Sequence, residues 1–196
     1  HLTQQFERDA MFSFKQFPVI YTERLILREL VPADAEGVFA IRSDYDVTKY
    51  NIGAAYTGMN QAEKLIDGIS EEYRMESAVR WGITLKEKNC VIGMVGFNYW
   101  NSTDNRGSIG FDLAQSHWRK GIMREAVRAM LNFGFINMGL HRIEADASIY
   151  NEASIGLLTS LGFQHEGIQR DQYYEDGLYH DLVMMALLED NWQHIK

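Results

Sequence analysis

The chain has 196 residues, 46% of them hydrophobic and 23% charged, with a formal net charge of −8. Such a length and balance predict one globular domain with a sizeable core, and the acidic excess excludes a general nucleic-acid binder, whose basic face would have to outweigh it. The single cysteine, Cys90, excludes an intrachain disulfide and suits a reducing compartment. It lies in an apolar, strand-like run and is expected to be a small buried core residue rather than a nucleophile. No segment has the apolar length of a membrane span or of a secretory leader, so a cytoplasmic location without membrane partners is expected. The six histidines form no H-x-x-x-H pair and have no cysteine at zinc-like spacing, and no metal site is expected.

His1 stands where an initiator methionine would, which points to a processed or artificial start, and residues 1–21 are expected to form an N-terminal extension whose order the sequence does not specify. Thr22 to Arg28 alternates like a strand. Pro32 then sits where a helix begins, with Ala33 to Ile41 as its body. Ser43 to Met59, rich in Tyr, Gly and Asn, reads as a loop of the kind that shapes a pocket. Gln61 to Tyr73 places Leu65, Ile66 and Ile69 on one helical face. Trp81, Ile83 and Leu85 alternate with polar neighbours, a turn at Glu87-Lys88-Asn89 leads into Cys90 to Trp100, and a turn at Ser102 to Arg106 returns the chain as Ser108 to Ala114. A helix follows with Ile122, Met123, Ala126, Val127, Met130 and Phe133 at three- and four-residue spacing, ending near Gly139. His141 to Ala147 alternates again, Asn151 is a good N-cap, and Gly162 closes a helix that carries Ile155, Leu157, Leu158 and Leu161. Phe163 to Tyr174 and Leu178 to Leu188 flank Asp176-Gly177, a strong hairpin signal. Together these predict one α+β domain over residues 22–190, built on a mixed, largely antiparallel sheet.

The most informative stretch runs from Phe111 through Trp118-Arg119-Lys120-Gly121-Ile122-Met123-Arg124-Glu125. Helix N-termini expose unsatisfied N–H groups and the positive end of the dipole, so they ordinarily attract acids. Here Arg119, Lys120 and Arg124 surround a glycine and only Glu125 answers them, a pattern that a bound anion, most naturally a phosphate, would relieve. A merely solvated basic turn is the other account. Neither G-x-x-x-x-G-K-[ST] nor G-x-G-x-x-G occurs, which argues against a nucleoside triphosphatase or a dinucleotide oxidoreductase.

Taken in order, Thr22-Glu23-Arg24-Leu25-Ile26-Leu27-Arg28, Ile109 to Leu113 running into Trp118 to Ala126, Arg142 to Ala145, Asn151 to Ser154, and Leu161 to Gly167 resemble the RimJ/RimL branch of the GNAT acyltransferase superfamily over nearly all of residues 22–188. The resemblance implies the GNAT fold and an acetyl-CoA-dependent N-acetyltransferase. It implies that the pyrophosphate of CoA rests on Arg119, Lys120, Gly121, Ile122, Met123 and Arg124, and that the pantetheine arm lies where strands Ser108 to Ala114 and Arg142 to Ser148 splay apart, near Phe111. The N–H near Leu113 would face the thioester oxygen, an oxyanion donor fixed on rigid sheet.

Two departures stand out. The loop has Trp118 where the superfamily usually has Gln or Arg, and Met123 where it usually has Gly or Ala. The helix has Leu158 where many members carry the tyrosine that protonates the departing thiolate; Ser154, a turn earlier, resembles the serine that takes that role in this branch. Ser154 is alternatively a helix back-bond or a support for the cap, and Asn151 either an N-cap or a partner of the pantetheine amide. Asp112, Glu144, Asp146, Tyr173 or an ordered water could take the amine proton, although Glu144 also fits a buried ion network with Arg142 and Asp146. Tyr99, Trp100, Tyr173 and Tyr174 are candidate pocket walls or core. The acceptor is expected to be a primary amine, on a protein N-terminus or on a small molecule; a non-catalytic CoA-binding module is the remaining alternative.

Overall fold

A computed structural model describes residues 12–193. Eight strands form one sheet: β1 (Ile20–Tyr21), β2 (Leu25–Arg28), β3 (Val79–Leu85), β4 (Lys88–Asn101), β5 (Arg106–Leu113), β6 (Arg142–Ser148), β7 (Gln164–Glu175) and β8 (Leu178–Leu188). Their order is β1-β2-β3-β4-β5-β6-β8-β7. Every neighbouring pair is antiparallel except β5 and β6. The helices are α1 (Ala35–Arg42), α2 (Tyr45–Thr48), α3 (Met59–Arg74), α4 (Ile122–Ile136), α5 (Glu152–Ser160) and α6 (Glu189–Gln193).

Helices cover both faces of the sheet because its strands are apolar on both sides at their centres. On one face Ala126, Val127, Met130 and Leu131 of α4 and Leu158 of α5 join Trp81, Ile83, Val95, Phe97 and Ile143 in the larger core. On the other, Val38 and Ile41 of α1 meet Ala62, Ile66 and Ile69 of α3 over Val91 and Met94. Residues 12–17 close an edge of the larger core: the Phe12 N–H donates to the Asn137 carbonyl at 2.9 Å, and the Phe14 ring stacks on Trp100.

Most predicted elements are present, with local differences. Pro32 opens a 3-10 turn over Pro32–Asp34 that precedes α1, closed by Arg28 donating to both Asp34 oxygens at 2.8 Å. The loop expected from Ser43 to Met59 contains the short helix α2, capped by Asp44. Cys90 is exposed, contrary to the expectation of a buried residue. Register shifts between Ile83, Thr84 and Leu85 insert extra residues into β4, so Val91 and Ile92 are both buried and the alternation that would have turned Cys90 inward is broken. The Asp176-Gly177 turn is as expected, both residues having positive φ.

Candidate active site

Strands β5 and β6 are in register over only three pairs, from Arg106 opposite Arg142 to Ser108 opposite Glu144. Beyond these they part. The Ala114 N–H donates to the Ile92 carbonyl, which makes the Gly93–Leu113 pair one that does not exchange hydrogen bonds. Leu113, and Phe111 two residues before it, therefore turn their backbone N–H and C=O groups away from β4 and into the gap. The Leu113 carbonyl is taken by the Trp118 indole N–H at 2.8 Å, so Trp118 ties the loop to the end of β5. The Leu113 N–H is left facing the opening.

The loop then makes two left-handed steps, Arg119 at φ 59° and Gly121 at φ 73°. Gly121 is the N-cap of α4 and its carbonyl accepts from Glu125 at 3.1 Å, so the amides of Ile122, Met123 and Arg124 have no partner inside the helix. Arg119 and Lys120 precede the helix rather than sitting in its first turn. Glu125 does not answer the loop cations. Its carboxylate is held by the Thr22 hydroxyl at 2.6 Å, the Arg24 N–H at 2.8 Å and the Arg24 Nε at 2.7 Å. Burial alone would raise the Glu125 pKa, but these three donors outweigh it and hold it below its ordinary value. Arg24 also donates to the Lys120 carbonyl at 2.8 Å, so the corner before β2 braces the loop. The Lys120 ammonium turns back to the Ser116 carbonyl at 2.7 Å.

Across the gap, Asn151 caps α5 by accepting from the Ser154 N–H at 3.1 Å. Thr159 and Ser160 of the same helix bond back to helical carbonyls, whereas Ser154 lines the gap. Leu158 is 1% exposed in the core, so the position of the usual tyrosine is not open here. A cavity of about 870 Å³ joins these parts. Phe111, Leu113, Trp118, Arg119, Gly121, Ile122, Met123, Arg124, Asn151 and Ser154 all line it; of the expected residues only Lys120 does not.

A second cavity of about 280 Å³ lies on the opposite side of the splay. Asp112, Asp146, Arg42 and Arg80 line it. Both Asp112 oxygens are engaged, one by Arg42 Nη1 at 2.9 Å and the other by Asn51 Nδ2 at 2.7 Å. Asp146 keeps an exposed surface, yet protein crowded around its carboxyl pushes its pKa above the ordinary value. Glu144 is committed to Arg142 at 2.7 Å; that network continues from Arg142 to Glu166, is partly exposed rather than buried, and does not include Asp146. The Tyr173 hydroxyl is pushed up by burial and by Glu175, away from neutral pH, and the ring stacks on His180.

None of the four expected aromatic walls lines either cavity. The bulge between Phe97 and Tyr99 sends Trp100 against Phe12 and Phe14 and leaves Tyr99 exposed beneath Arg106, and Tyr174 packs on Tyr179 at the hairpin. The walls are instead Tyr50, Phe111, Trp118 and Tyr150. Arg24, Arg42 and Arg80 are the important residues that sequence reading missed; only the Thr-Glu-Arg-Leu string, already part of the resemblance, pointed to one of them. Among the described residues no group of three or more His, Cys, Asp or Glu is placed to hold a metal.

A sheet opened between two parallel strands, a backbone N–H turned into the opening and a glycine loop ahead of a helix are the features of an acyltransferase that takes its acyl group from a CoA thioester. Residues 24–164 match the family described as Acetyltransferase (GNAT) domain, and the chain belongs to it. It is 40% identical over 170 residues to the uncharacterized N-acetyltransferase p20 of Bacillus licheniformis, covering 87% of this chain and 96% of that protein. It is 30% identical over 125 residues to the ribosomal protein uS5-alanine N-acetyltransferase of Escherichia coli, covering 63% of this chain and 64% of that one. Among solved structures, an acetyltransferase (GNAT family) from Bacillus anthracis superimposes with a TM-score of 0.79 at 25% identity, over 88% of this chain and 99% of that chain. The resemblance to the RimJ/RimL branch and the expected fold are both borne out, and the protein is an acetyl-CoA-dependent N-acetyltransferase.

Proposed function

We propose that the two cavities are the two substrate sites of one transfer reaction, acetyl-CoA occupying the larger and a primary amine the smaller. One observation carries this: Tyr50, Asn51, Phe111, Asp112, Asn151 and Ser154 line both cavities, so a thioester and an amine lying in them meet at the mouth of the splay. The pyrophosphate rests on the amides that open α4, where the helix dipole and Arg119 and Arg124 favour it. The pantetheine arm follows the free edge of β5 past Phe111 and Leu113, and Asn151 stands beside it.

Asp146 takes the proton from the incoming ammonium group, since the other carboxylates of the region are committed to Arg42 and Arg142, and burial, which raises its pKa, makes it a better proton acceptor than an ordinary carboxylate. The amine nitrogen attacks the thioester carbonyl carbon, and the oxygen of the tetrahedral intermediate is met by the Leu113 N–H. Collapse breaks the C–S bond, and the Ser154 hydroxyl gives its proton to the leaving thiolate and regains one from solvent, while the attacking nitrogen loses its second proton to solvent to leave the neutral amide and Asp146 releases the first.

A cavity of about 280 Å³ suits the first residue of a polypeptide, and the uS5-alanine relative supports a protein N-terminus as acceptor. The cavity size also accommodates a small amine, which is the second reading. Among the described residues no helix is long and apolar enough to cross a membrane, in keeping with the cytoplasmic setting we propose. The test is thiol release from acetyl-CoA across peptides and small amines. Release with peptides supports the N-terminal acceptor, release with small amines alone supports the second reading, and tight CoA binding without release from any acceptor would refute the enzyme in favour of a binding module.

A further inference from the structure

Arg80 on β3, Gly96 on β4 and Gly110 on β5 occupy one level across the sheet, being successive register partners. Two residues beyond the last β5–β6 pair, the same level reaches Asp146 on β6. The two glycines leave space that side chains would fill: a Cβ on Gly96 would stand 2.7 Å from the Arg80 Cβ, and one on Gly110 would stand 2.6 Å from Asn98 Nδ2. Arg80 uses that space to lie along the sheet and donate to the Asn98 amide oxygen. Its guanidinium thus lies beside Asn98 at the smaller cavity, which Asp146 also lines.

The charges there are unevenly matched. Arg42 is paired with Asp112 at 2.9 Å, which consumes that carboxylate, and the Arg42 Nε is buried without a hydrogen-bond partner. Arg80 has an amide, not a carboxylate, as its hydrogen-bond partner; burial weakens its hold on its proton, while Asp112 offsets this only in part. Lining a concave site with a cation whose fork of donors is largely free favours an anionic group, because Arg binds carboxylates through two parallel hydrogen bonds.

Resting on the acetyl-transfer reading of this cavity, we infer that the acceptor is an amino-carboxylate: a primary amine whose own carboxylate is bound by Arg80 while the nitrogen lies toward Asp146 and the splay. Two sources meet that description, a free amino acid and a polypeptide whose first residue is Asp or Glu.

The test uses matched acceptors that differ only in that group: free amino acids against their carboxamides, and peptides beginning with Asp or Glu against those beginning with Asn or Gln. A charge-assisted pair predicts a preference in kcat/KM of at least about tenfold for the carboxylate member. Preference among the free amino acids identifies the small-molecule source, and preference among the peptides the polypeptide source. In Arg80→Gln the ratio should collapse toward one, and Arg80→Lys should keep part of it. Equal kcat/KM for both members in the wild type, or an Arg80→Gln protein with an undiminished ratio, would overturn the inference while leaving acetyl transfer intact. Calorimetry of the same pairs on the CoA-saturated wild-type protein reads the preference without turnover. Equal affinities there would overturn it even if no acceptor were acetylated, an outcome that would separately refute the transfer reading.

Discussion

Glu125 connects a corner of the sheet to the loop that receives the cofactor, and removing it has a calculable effect. Its side chain is 18% exposed and accepts three hydrogen bonds, two from Arg24 and one from Thr22. The Arg24 side chain is 45% exposed, so solvent screens its ion pair to under about 1 kcal/mol. The Thr22 hydroxyl bond is part-buried, and it and the bond from the Arg24 N–H contribute about 1 kcal/mol each. Glu125→Ala should therefore lose about 2–3 kcal/mol in urea unfolding at pH 7 by the same magnitudes. Glu125→Gln keeps one oxygen for Thr22 and the backbone donor but turns an NH2 toward Arg24, and should lose about 1 kcal/mol. Because the folded pKa lies below the unfolded value near 4.3, this stabilisation is complete above that value and fades as pH falls through the folded one. The wild-type advantage over Glu125→Ala must shrink on acidification. With its brace loosened, the loop should also bind CoA about three- to tenfold more weakly by calorimetry, the equivalent of roughly 1 kcal/mol of loop ordering. An alanine variant with wild-type stability and wild-type CoA affinity would refute the brace.

Ser154→Ala should lower turnover by about 10²-fold with little change in CoA affinity, and it should remain stable because the cap uses the Ser154 N–H, which alanine keeps; undiminished thiol release would exclude the acid role. Asp146→Asn should abolish most turnover yet raise stability at neutral pH, since a carboxyl with a raised folded pKa destabilises the native state increasingly as pH rises above its unfolded value near 3.9. That gain should vanish in acid, and thermal melts at pH 3.5 and 7 check it. Gly121→Ala places a Cβ at φ 73° and 3.4 Å from Arg24 Nη2, so it should cost about 1–2 kcal/mol of stability and weaken CoA binding together. A substitution to Asp at the same position would meet the same strain, which offsets the usual welcome of an acid at a helix start.

What could be read from the sequence was what is local. The β5–loop–α4 unit, the Asn151 cap and the Asp176-Gly177 hairpin each depend on residues within a few positions of one another, and all are in place. The contacts that arm the site are not local. Arg24 reaches Lys120 and Glu125 from about a hundred residues away, and Arg80, Gly96, Gly110 and Asp146 share a level only because of strand register. Alternation was a sound guide until a bulge intervened. One set of inserted residues in β4 turned Cys90 outward, and another sent Trp100 away from the site. Glu125 shows the same limit electrostatically: its sequence neighbours are cations, yet its partners are Thr22 and Arg24.

The three-pair contact between β5 and β6 also bears on what this strand edge can recruit. An open strand edge is ordinarily a template for another chain, and proteins blunt such edges at their periphery. Here the N–H and C=O of Phe111 and the N–H of Leu113 face the gap inside the sheet, with α5 and the Tyr50 segment lining the same recess. A second polypeptide strand would have to bring side chains on both faces into a space already walled by Tyr50, Trp118 and Tyr150. A slender, unbranched arm needs no such clearance, so the recess admits guests by width and offers its hydrogen-bonding edge only to those that pass.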